Sequence, residues 1–351
     1  MLSSDFDFDL PDALIAQEAR PRGESRLLVV DRVTGTWHDS VIRELPGWLT
    51  AGDLLVGNDS RVFPARLIGR REPGGGAAEC FLLERVEGDR WIALVNPGRK
   101  LLAGARIRCA SPDRAPGVSV GVEIVEHQPF GRRVVALTAE GADSVDAAID
   151  AVGHVPLPPY IRRDDDLDDR ARYQTVYAAA RGSVAAPTAG LHFDEPLLAA
   201  VREAGLAWAT VTLHVGYGTF KPVRVERIDE HVVDHERYHV SRQTSDAMRS
   251  ARGAGHRVVA IGTTTTRALE SAARLGDGHV RPGDGTADLF IRPGHVFAAV
   301  DALLTNFHLP RSSLLMLVAA FGGRDLILAA YGHAVASGYR FYSYGDAMLI
   351  K

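Results

Sequence analysis

Five short apolar segments, each followed at once by a polar turn, constrain the fold of this 351-residue chain more than any other feature. Apolar segments of this length, recurring between helical patterns, are typical of a sheet covered by helices. In open α/β sheets ligands bind outside the carboxyl ends of the strands, so we expect the five turns to meet in one cleft. The segments are Leu54–Val56, Ser183–Ala186, Val211–Leu213, Val258–Ile261 and Leu303–Phe307.

A different pattern occupies residues 64–142, where short runs alternate apolar and polar residues, as in Arg90–Val95 and Arg132–Leu137. Several short strands at this spacing predict a small antiparallel barrel. The proline-rich segment Pro156–Tyr160 then indicates an extended linker. We therefore predict an α/β fold whose mixed or parallel sheet and helices come from residues 1–63 and 154–351. An antiparallel β-barrel domain at residues 64–153 interrupts it.

Helices are expected between the strands of the larger part. Asp194 is a suitable N-cap for a helix that runs to Ala204, and Gly205 is a suitable end. Some of the four threonines at 263–266 are expected to cap a helix. The other predicted helices are Ser245–Ala254, Thr266–Leu275, Ser313–Phe321 and Asp325–Ala336.

Charge and composition exclude several classes of protein. The net charge of −4 excludes a generally polybasic protein, although residues 64–142 carry 12 basic and 9 acidic residues, a local net charge of +3. Arg132 and Arg133 are therefore candidates for phosphate contact. The two cysteines are too few for a Cys-based zinc site or a disulfide framework. The acidic N-terminus and the shortness of the apolar run Leu314–Phe321 lead us to expect a cytoplasmic protein with no membrane contact.

The sequence His235-Glu236-Arg237-Tyr238-His239 matches the H-E-x-x-H zinc motif. That motif needs a helix, because two histidines four residues apart must share one face to hold the metal. Here Tyr238 and Val240 alternate with polar residues as in a strand. This pattern indicates that the motif match arose by chance, so we expect no metal site.

Several longer motifs together identify a family. They are Gly52–Arg66 (GDLLVGNDSRVFPAR), His154–Tyr160 (HVPLPPY), Tyr173–Tyr177 (YQTVY), Val184–Phe193 (VAAPTAGLHF), Val211–Gly216 (VTLHVG), Asp301–Pro310 (DALLTNFHLP) and Tyr339–Met348 (YRFYSYGDAM). With these motifs in order along its whole length, the chain resembles the S-adenosylmethionine:tRNA ribosyltransferase-isomerases of the queuosine pathway. The resemblance implies an α/β domain with an inserted β-barrel.

The resemblance also implies a reaction and its partners. The ribosyl part of S-adenosylmethionine moves to the aminomethyl group of 7-aminomethyl-7-deazaguanine (preQ1) at the wobble position of tRNA. Adenine and methionine leave, and the sugar becomes the epoxycyclopentane of epoxyqueuosine. S-adenosylmethionine is then a consumed substrate, and no cofactor is expected. The sulfonium acidifies the ribose C5′ proton, so the site needs a base, an acid for adenine and a dry polar pocket. We expect a monomer.

Residue chemistry suggests roles within that reaction. His192 and His214 are the candidates for proton transfer, because imidazole titrates near neutral pH. Asp59 is a candidate to orient a histidine or bind ribose hydroxyls, and Arg61 to hold a carboxylate or phosphate. The other candidates for substrate binding are Asn58, Thr188, Gly190, Gly216, Gly218, Thr219, Thr263, Arg267, Asn306, His308 and Asp346.

Two alternatives remain open at this stage. One is a zinc-dependent hydrolase that uses His235, Glu236 and His239. The other is a non-catalytic tRNA-binding module. The number of polar residues at the strand ends favours an enzyme over the non-catalytic binding module.

Overall fold

The computed structural model describes residues 1–220, 223–276 and 278–351, except for the side chains of residues 219 and 220. In chain order its strands are β1 (Arg26–Asp31), β2 (Thr36–Val41), β3 (Leu54–Asn58), β4 (Ser60–Val62), β5 (Arg66–Glu72), β6 (Ala77–Glu87), β7 (Arg90–Asn96), β8 (Arg106–Ala110), β9 (Ser119–His127), β10 (Arg132–Glu140), β11 (Ala180–Ser183), β12 (Ala207–Leu213), β13 (Glu236–Val240), β14 (Val258–Ile261), β15 (Gly283–Ala287), β16 (Ala302–Asn306) and β17 (Ala347–Ile350).

The α-helices, in chain order, are α1 (Val145–Val152), α2 (Asp169–Arg172), α3 (Glu195–Glu203), α4 (Arg242–Gly253), α5 (Thr263–Arg274), α6 (Ser313–Gly322) and α7 (Arg324–Ala336). Short 3-10 helices span Ser3–Phe6, Asp12–Leu14, Ile42–Trp48, Gly98–Lys100, Pro129–Gly131, Thr188–His192, Tyr217–Phe220 and Ile228–Glu230.

Nine of the described strands form one mixed sheet, in the order β15-β13-β12-β3-β14-β16-β17-β1-β2. Its centre is parallel, because β12, β3, β14 and β16 run the same way, whereas β17 lies antiparallel to β16. Side chains on both faces are buried: Leu28 and Val30 of β1 belong to one core cluster, and Leu27 and Val29 to another. Burial on both faces explains why these strands read as continuous apolar runs.

The six strands from β5 to β10 close into an antiparallel barrel, in the order β10-β7-β6-β5-β8-β9. Its alternation places residues such as Cys80 and Leu82 in a separate core cluster. Backbone hydrogen bonds between Arg66 and His154, at 3.2 and 2.9 Å, join the chain where it enters and leaves this region. The short parallel pair of β4 and β11 lies beside that junction.

The predicted helices are found, and three of them, α4, α5 and α7, start earlier than predicted. Asp194 accepts a hydrogen bond from the Leu197 amide at 2.8 Å, which confirms it as the cap of α3. Helix α4 begins three residues before the predicted Ser245, because Ser241 caps it. The predicted strand Ser183–Ala186 is wrong, since β11 ends at Ser183. Among the described residues no single helix is long and apolar enough to cross a membrane; α6 and α7 meet the criteria only as a pair bent by 114°.

Candidate active site at the strand ends

The carboxyl ends of β3, β12, β14 and β16 lie along one edge of the large sheet, because these strands are parallel. Strand β17 runs the opposite way, so its first residues, preceded by Asp346, reach the same edge. The topology therefore brings distant segments of the chain to a common edge, as the sequence pattern predicts.

A cavity of about 350 Å³, here called the strand-end cavity, opens at this edge. Four of the predicted residues line it: Thr188, Thr263, Asn306 and His308. The remaining lining residues include aromatic and hydroxyl side chains that sequence reasoning did not single out, namely Tyr160, Tyr173, Ser312, Tyr342 and Ser343. A mainly apolar pocket with a few convergent polar groups has the character of a small-molecule site.

The start of α5 supplies one wall of this cavity. Gly262 has φ +96°, a conformation that favours glycine, and it turns the chain sharply from β14 into the helix. Thr265 and Thr266 donate their hydroxyls to the carbonyls of Ile261 and Gly262, whereas Thr263 lines the cavity. The first-turn amides and the helix dipole of this 12-residue helix make this wall attractive to a carboxylate.

Three tyrosines form an aromatic part of the cavity lining. The rings of Tyr160 and Tyr342 stack with centroids 4.1 Å apart, and Tyr342 has the left-handed φ of +76°. The Tyr160 hydroxyl lies 2.5 Å from Ser343 Oγ, whereas the buried hydroxyls of Tyr173 and Tyr342 have no hydrogen-bond partner among the described residues. Burial raises the pKa of all three phenols, so they stay neutral donors for a ligand.

His308 lines the cavity as a neutral imidazole. Its Nε2 lies 2.9 Å from Thr305 Oγ1, and its backbone amide donates to the Tyr331 hydroxyl at 3.0 Å. Burial lowers the pKa of His308 to about 3, because charging an imidazole away from water is unfavourable. At neutral pH His308 is therefore uncharged and has no proton to give up as an imidazolium.

His192 lies beside the cavity rather than in its wall. The ring is 4% exposed, with Nδ1 at 2.9 Å from Ser25 Oγ. Burial lowers its pKa to about 4, and Asp346 and Asn306 act in the opposite direction. Both His192 Nε2 and Asn306 Oδ1 are buried without a hydrogen-bond partner among the described residues. His192 thus lies near Asn306, which does line the cavity.

His214 lies in a second cavity of about 240 Å³, here called the barrel-side cleft, where β6 and β7 face the large sheet. Trp91, Arg181 and Gly216 also line this cleft, and Val215 lines both cavities. Burial, with Arg237 nearby, lowers the pKa of His214. His214 and Gly216 therefore lie in a neighbouring cavity that shares Val215 with the strand-end cavity. Their part in the reaction stays a prediction.

Asn58 and Asp59 are held by the backbone around them. Asn58 is fully buried; its amide donates to the Leu213 carbonyl at 2.9 Å, and its Oδ1 accepts from the amides of Ser60 and Leu213. These hydrogen bonds connect β3 to β12, and they leave the Asn58 side chain with few donors or acceptors for a substrate. Asp59 accepts a 2.6 Å hydrogen bond from Thr212, and its charge counteracts the lowering of the His214 pKa.

Arg267 forms a buried ion pair with Glu236. Its other amino group donates to the carbonyls of Asp234 and Ala287 at 3.3 and 3.0 Å. Glu236 Oε1 accepts from the Gly216 amide at 2.8 Å. Both amino groups of the guanidinium are thus held by protein groups, while Nε has no hydrogen-bond partner among the described residues. A role of Arg267 in substrate binding stays a prediction.

Asp346 and Gly190 also serve the fold. Asp346 is fully buried and accepts the amides of Arg26 and Arg340 at 3.0 and 2.8 Å. At Gly190 a Cβ atom would lie 2.2 Å from the Tyr177 hydroxyl, so the glycine is required for close packing. These contacts explain both residues without a ligand.

Arg61 and Gly218 line neither of these two cavities. Arg61 is exposed on β4. Gly218 lies in a small separate pocket of about 50 Å³ with Asp234. The side chain of Thr219 lies outside the described part of the structure.

The H-E-x-x-H match lies on β13, not on a helix. Its two histidines do not share a helical face, His239 bonds Asp284 at 2.8 Å, and Glu236 is paired with Arg267. Within the described ranges no group of three or more His, Cys, Asp or Glu is placed to hold a metal ion. The zinc-hydrolase alternative therefore has no geometric support.

Comparisons with known proteins place the whole chain in one family. Residues 3–350 match the family model of queuosine biosynthesis proteins. S-adenosylmethionine:tRNA ribosyltransferase-isomerases from Anaeromyxobacter dehalogenans and Symbiobacterium thermophilum are 51% and 50% identical, over 100% of this chain and 99% and 100% of theirs. A solved S-adenosylmethionine tRNA ribosyltransferase from Thermotoga maritima is 37% identical, with a TM-score of 0.55 over 99% of this chain and 100% of that one. The chain therefore belongs to the family of queuosine biosynthesis proteins.

Proposed function

We propose that this protein is a tRNA ribosyltransferase-isomerase that consumes S-adenosylmethionine as its ribosyl donor. The observation that carries the proposal is full-length identity of about half the residues to curated enzymes of that name. An end-to-end match supports the activity as well as the fold. In its finer form, the proposal takes preQ1 at the wobble position of tRNA as the acceptor and adenine and methionine as the leaving groups. A cytoplasmic location, a monomeric state and independence from a resident cofactor remain predictions.

We place S-adenosylmethionine in the strand-end cavity. Its volume of about 350 Å³ lies within the ordinary range for small-molecule sites. The α5 N-terminus offers amides and a favourable dipole to the methionine carboxylate. The stacked rings of Tyr160 and Tyr342 offer aromatic faces to a sulfonium or a base. Together these walls fit a zwitterionic sulfonium nucleoside.

Within this proposal His308 is the candidate base for the C5′ proton, because it lines the cavity and is uncharged at neutral pH. A bound methionine carboxylate would raise its pKa from about 3 toward the working range. His192 is a positioning residue that acts through Asn306. His214 with Asp59 is a second candidate pair for proton transfer, on the other side of Val215.

The decisive experiment is incubation with S-adenosylmethionine and precursor-bearing tRNA, followed by measurement of free adenine and of the modified nucleoside. We expect adenine in proportion to modified tRNA. Methylated RNA, or intact S-adenosylmethionine in the presence of the correct acceptor, would overturn the proposal.

A matched pair on α5 tests the location of the site. Thr263→Val removes a hydroxyl that lines the cavity, whereas Thr266→Val removes one bonded to the Gly262 carbonyl. We expect only Thr263→Val to raise the KM for S-adenosylmethionine, by roughly 5- to 10-fold for one hydrogen bond. If the two variants have the same KM for S-adenosylmethionine, the donor does not bind against Thr263. Unchanged kcat in His214→Ala would remove His214 from proton transfer.

A further inference from the structure

The turn between β9 and β10 presents a phenylalanine to solvent. Phe130 is 95% exposed, and its backbone has φ +59° and ψ +30°, the left-handed region that a bulky residue rarely adopts. Neither its packing nor its backbone conformation favours phenylalanine at this position. An exposed aromatic ring that is held on an unfavourable backbone instead points to a function such as contact with a partner.

The turn that carries Phe130 is held by a buried arginine. Arg133, 8% exposed, donates to the carbonyls of Gly131 and Arg132 at 3.1 and 2.9 Å and to that of Gly98 at 3.2 Å. The predicted phosphate role of Arg133 is therefore replaced by a structural one. Its bonds fix the Phe130 turn against the Gly98–Lys100 turn, so the ring is presented from a supported position.

The same bonds bring positive charge beside the ring. Arg99 and Lys100, in the turn that Arg133 contacts, are both exposed. Arg132 follows Phe130 closely and lies 3.9 Å from Asp234 of the large sheet's loops. Nucleic-acid surfaces commonly combine aromatic rings, which stack on bases, with cations, which contact phosphates. We call this surface the Phe130 tip; it consists of Arg99, Lys100, Phe130 and Arg132.

The Phe130 tip lies close to a route toward the strand-end cavity. Arg132 pairs with Leu94 of β7, and Leu94 lines a cleft of about 380 Å³ together with Tyr217 and Pro159. Pro159 also lines the strand-end cavity. A nucleotide chain bound at the tip would thus have a neighbouring cleft that adjoins the proposed donor site.

We propose that Phe130 stacks on an unpaired nucleobase of the tRNA anticodon loop, while Arg99 and Lys100 contact adjacent phosphates. Unpaired loop bases are available for stacking on aromatic side chains. The inference rests on the proposed function for the identity of the partner. It adds the surface that binds the RNA before the acceptor base enters the site.

The test compares Phe130→Gly, Phe130→Tyr and the control Val86→Ala. Val86 is 57% exposed near the end of β6, away from the Phe130 tip along β7. Because Phe130→Gly loses one stacked base, its Kd for tRNA should be about 5- to 100-fold weaker. Phe130→Tyr should retain tRNA binding, and Val86→Ala should not change it. The melting temperature of Phe130→Gly should be equal or higher, because glycine suits the positive φ.

Two further measurements separate this inference from the proposed function. The KM for tRNA should rise in Phe130→Gly while the KM for S-adenosylmethionine stays constant. Arg99→Gln with Lys100→Gln should lower the slope of log Kd against log salt by about 1 to 2. If Phe130→Gly binds tRNA with wild-type affinity while the wild-type enzyme releases adenine, the proposed role of the Phe130 tip is overturned and the proposed function stands. Weaker tRNA binding in Phe130→Gly, with no adenine released by the wild type, would overturn the function and support the tip.

Discussion

Lowering the pH from 7 to 5 should destabilise the protein through two buried imidazoles. Burial lowers the pKa of His192 to about 4 and that of His308 to about 3, from an ordinary value of 6.5. The unfolded chain therefore binds protons at these sites below about pH 6.5, whereas the folded chain does not. The stability from the neutral rings is complete above pH 6.5 and is lost as the pH falls toward 4 and 3.

The magnitude follows from the linkage between folding and protonation. Between pH 7 and pH 5, each ring contributes a loss of about 2 kcal/mol in the free energy of unfolding. The two rings together give about 4 kcal/mol, a large share of the 5–15 kcal/mol typical of a folded domain. A loss of this size is easily measured.

Urea unfolding at both pH values provides the assay, with His192→Asn, His308→Gln and the control His127→Gln. His127 is exposed on the barrel. Each buried-site variant should remove about 2 kcal/mol of the pH-dependent difference, and the control should remove none. If His192→Asn and His308→Gln retain the full wild-type difference, the rings are protonated in the folded state and their assignment as neutral acceptors is wrong.

Three other predictions concern residues that the structure assigns to the fold. Arg267→Met should lower the free energy of unfolding by about 3–5 kcal/mol in urea titrations, because it removes the cation that pairs with the buried Glu236 carboxylate. Adding Glu236→Leu should restore most of that loss, and no recovery would contradict the pairing. Gly190→Ala should cost about 1–3 kcal/mol by the same assay, since its Cβ would overlap the Tyr177 hydroxyl; wild-type stability would show that the site relaxes. Asp346→Asn should also lower the free energy of unfolding by about 1–3 kcal/mol, because one backbone amide loses its acceptor. A loss of activity at full stability would show that Asp346 acts in the site.

Local signals in the sequence predict the helices and apolar strands well. Asp194 is sufficient to place the start of α3, because an N-cap acts over three residues. The start of α5 is harder to predict from the sequence. The threonines suggest a cap near 266, but Gly262 makes the turn and the helix begins at Thr263. The alternation of β5 is interrupted by a glycine and by consecutive arginines, so this strand carries a weak local signal, whereas the short strand β8 alternates throughout.

The site is harder to predict, because its composition depends on contacts between distant segments. Asp346 reaches the strand-end edge only because β17 runs antiparallel to β16. Arg267 looks like a free cation until β13 places Glu236 against it, 31 residues away in the chain. Tyr160 and Tyr342 carry no local signal of their stacking, since they are 182 residues apart. Polar residues after strands thus indicate where a site lies but not which of them face it.

The paired backbones of Arg66 and His154 have a consequence for the history of the chain. Two residues bonded at 3.2 and 2.9 Å can be bridged by a very short loop, although 87 residues lie between them. An ancestral chain with a tight hairpin at this point could keep the same strand order in the large sheet. The barrel can therefore be added or removed at a single turn without any change in the strand order on either side.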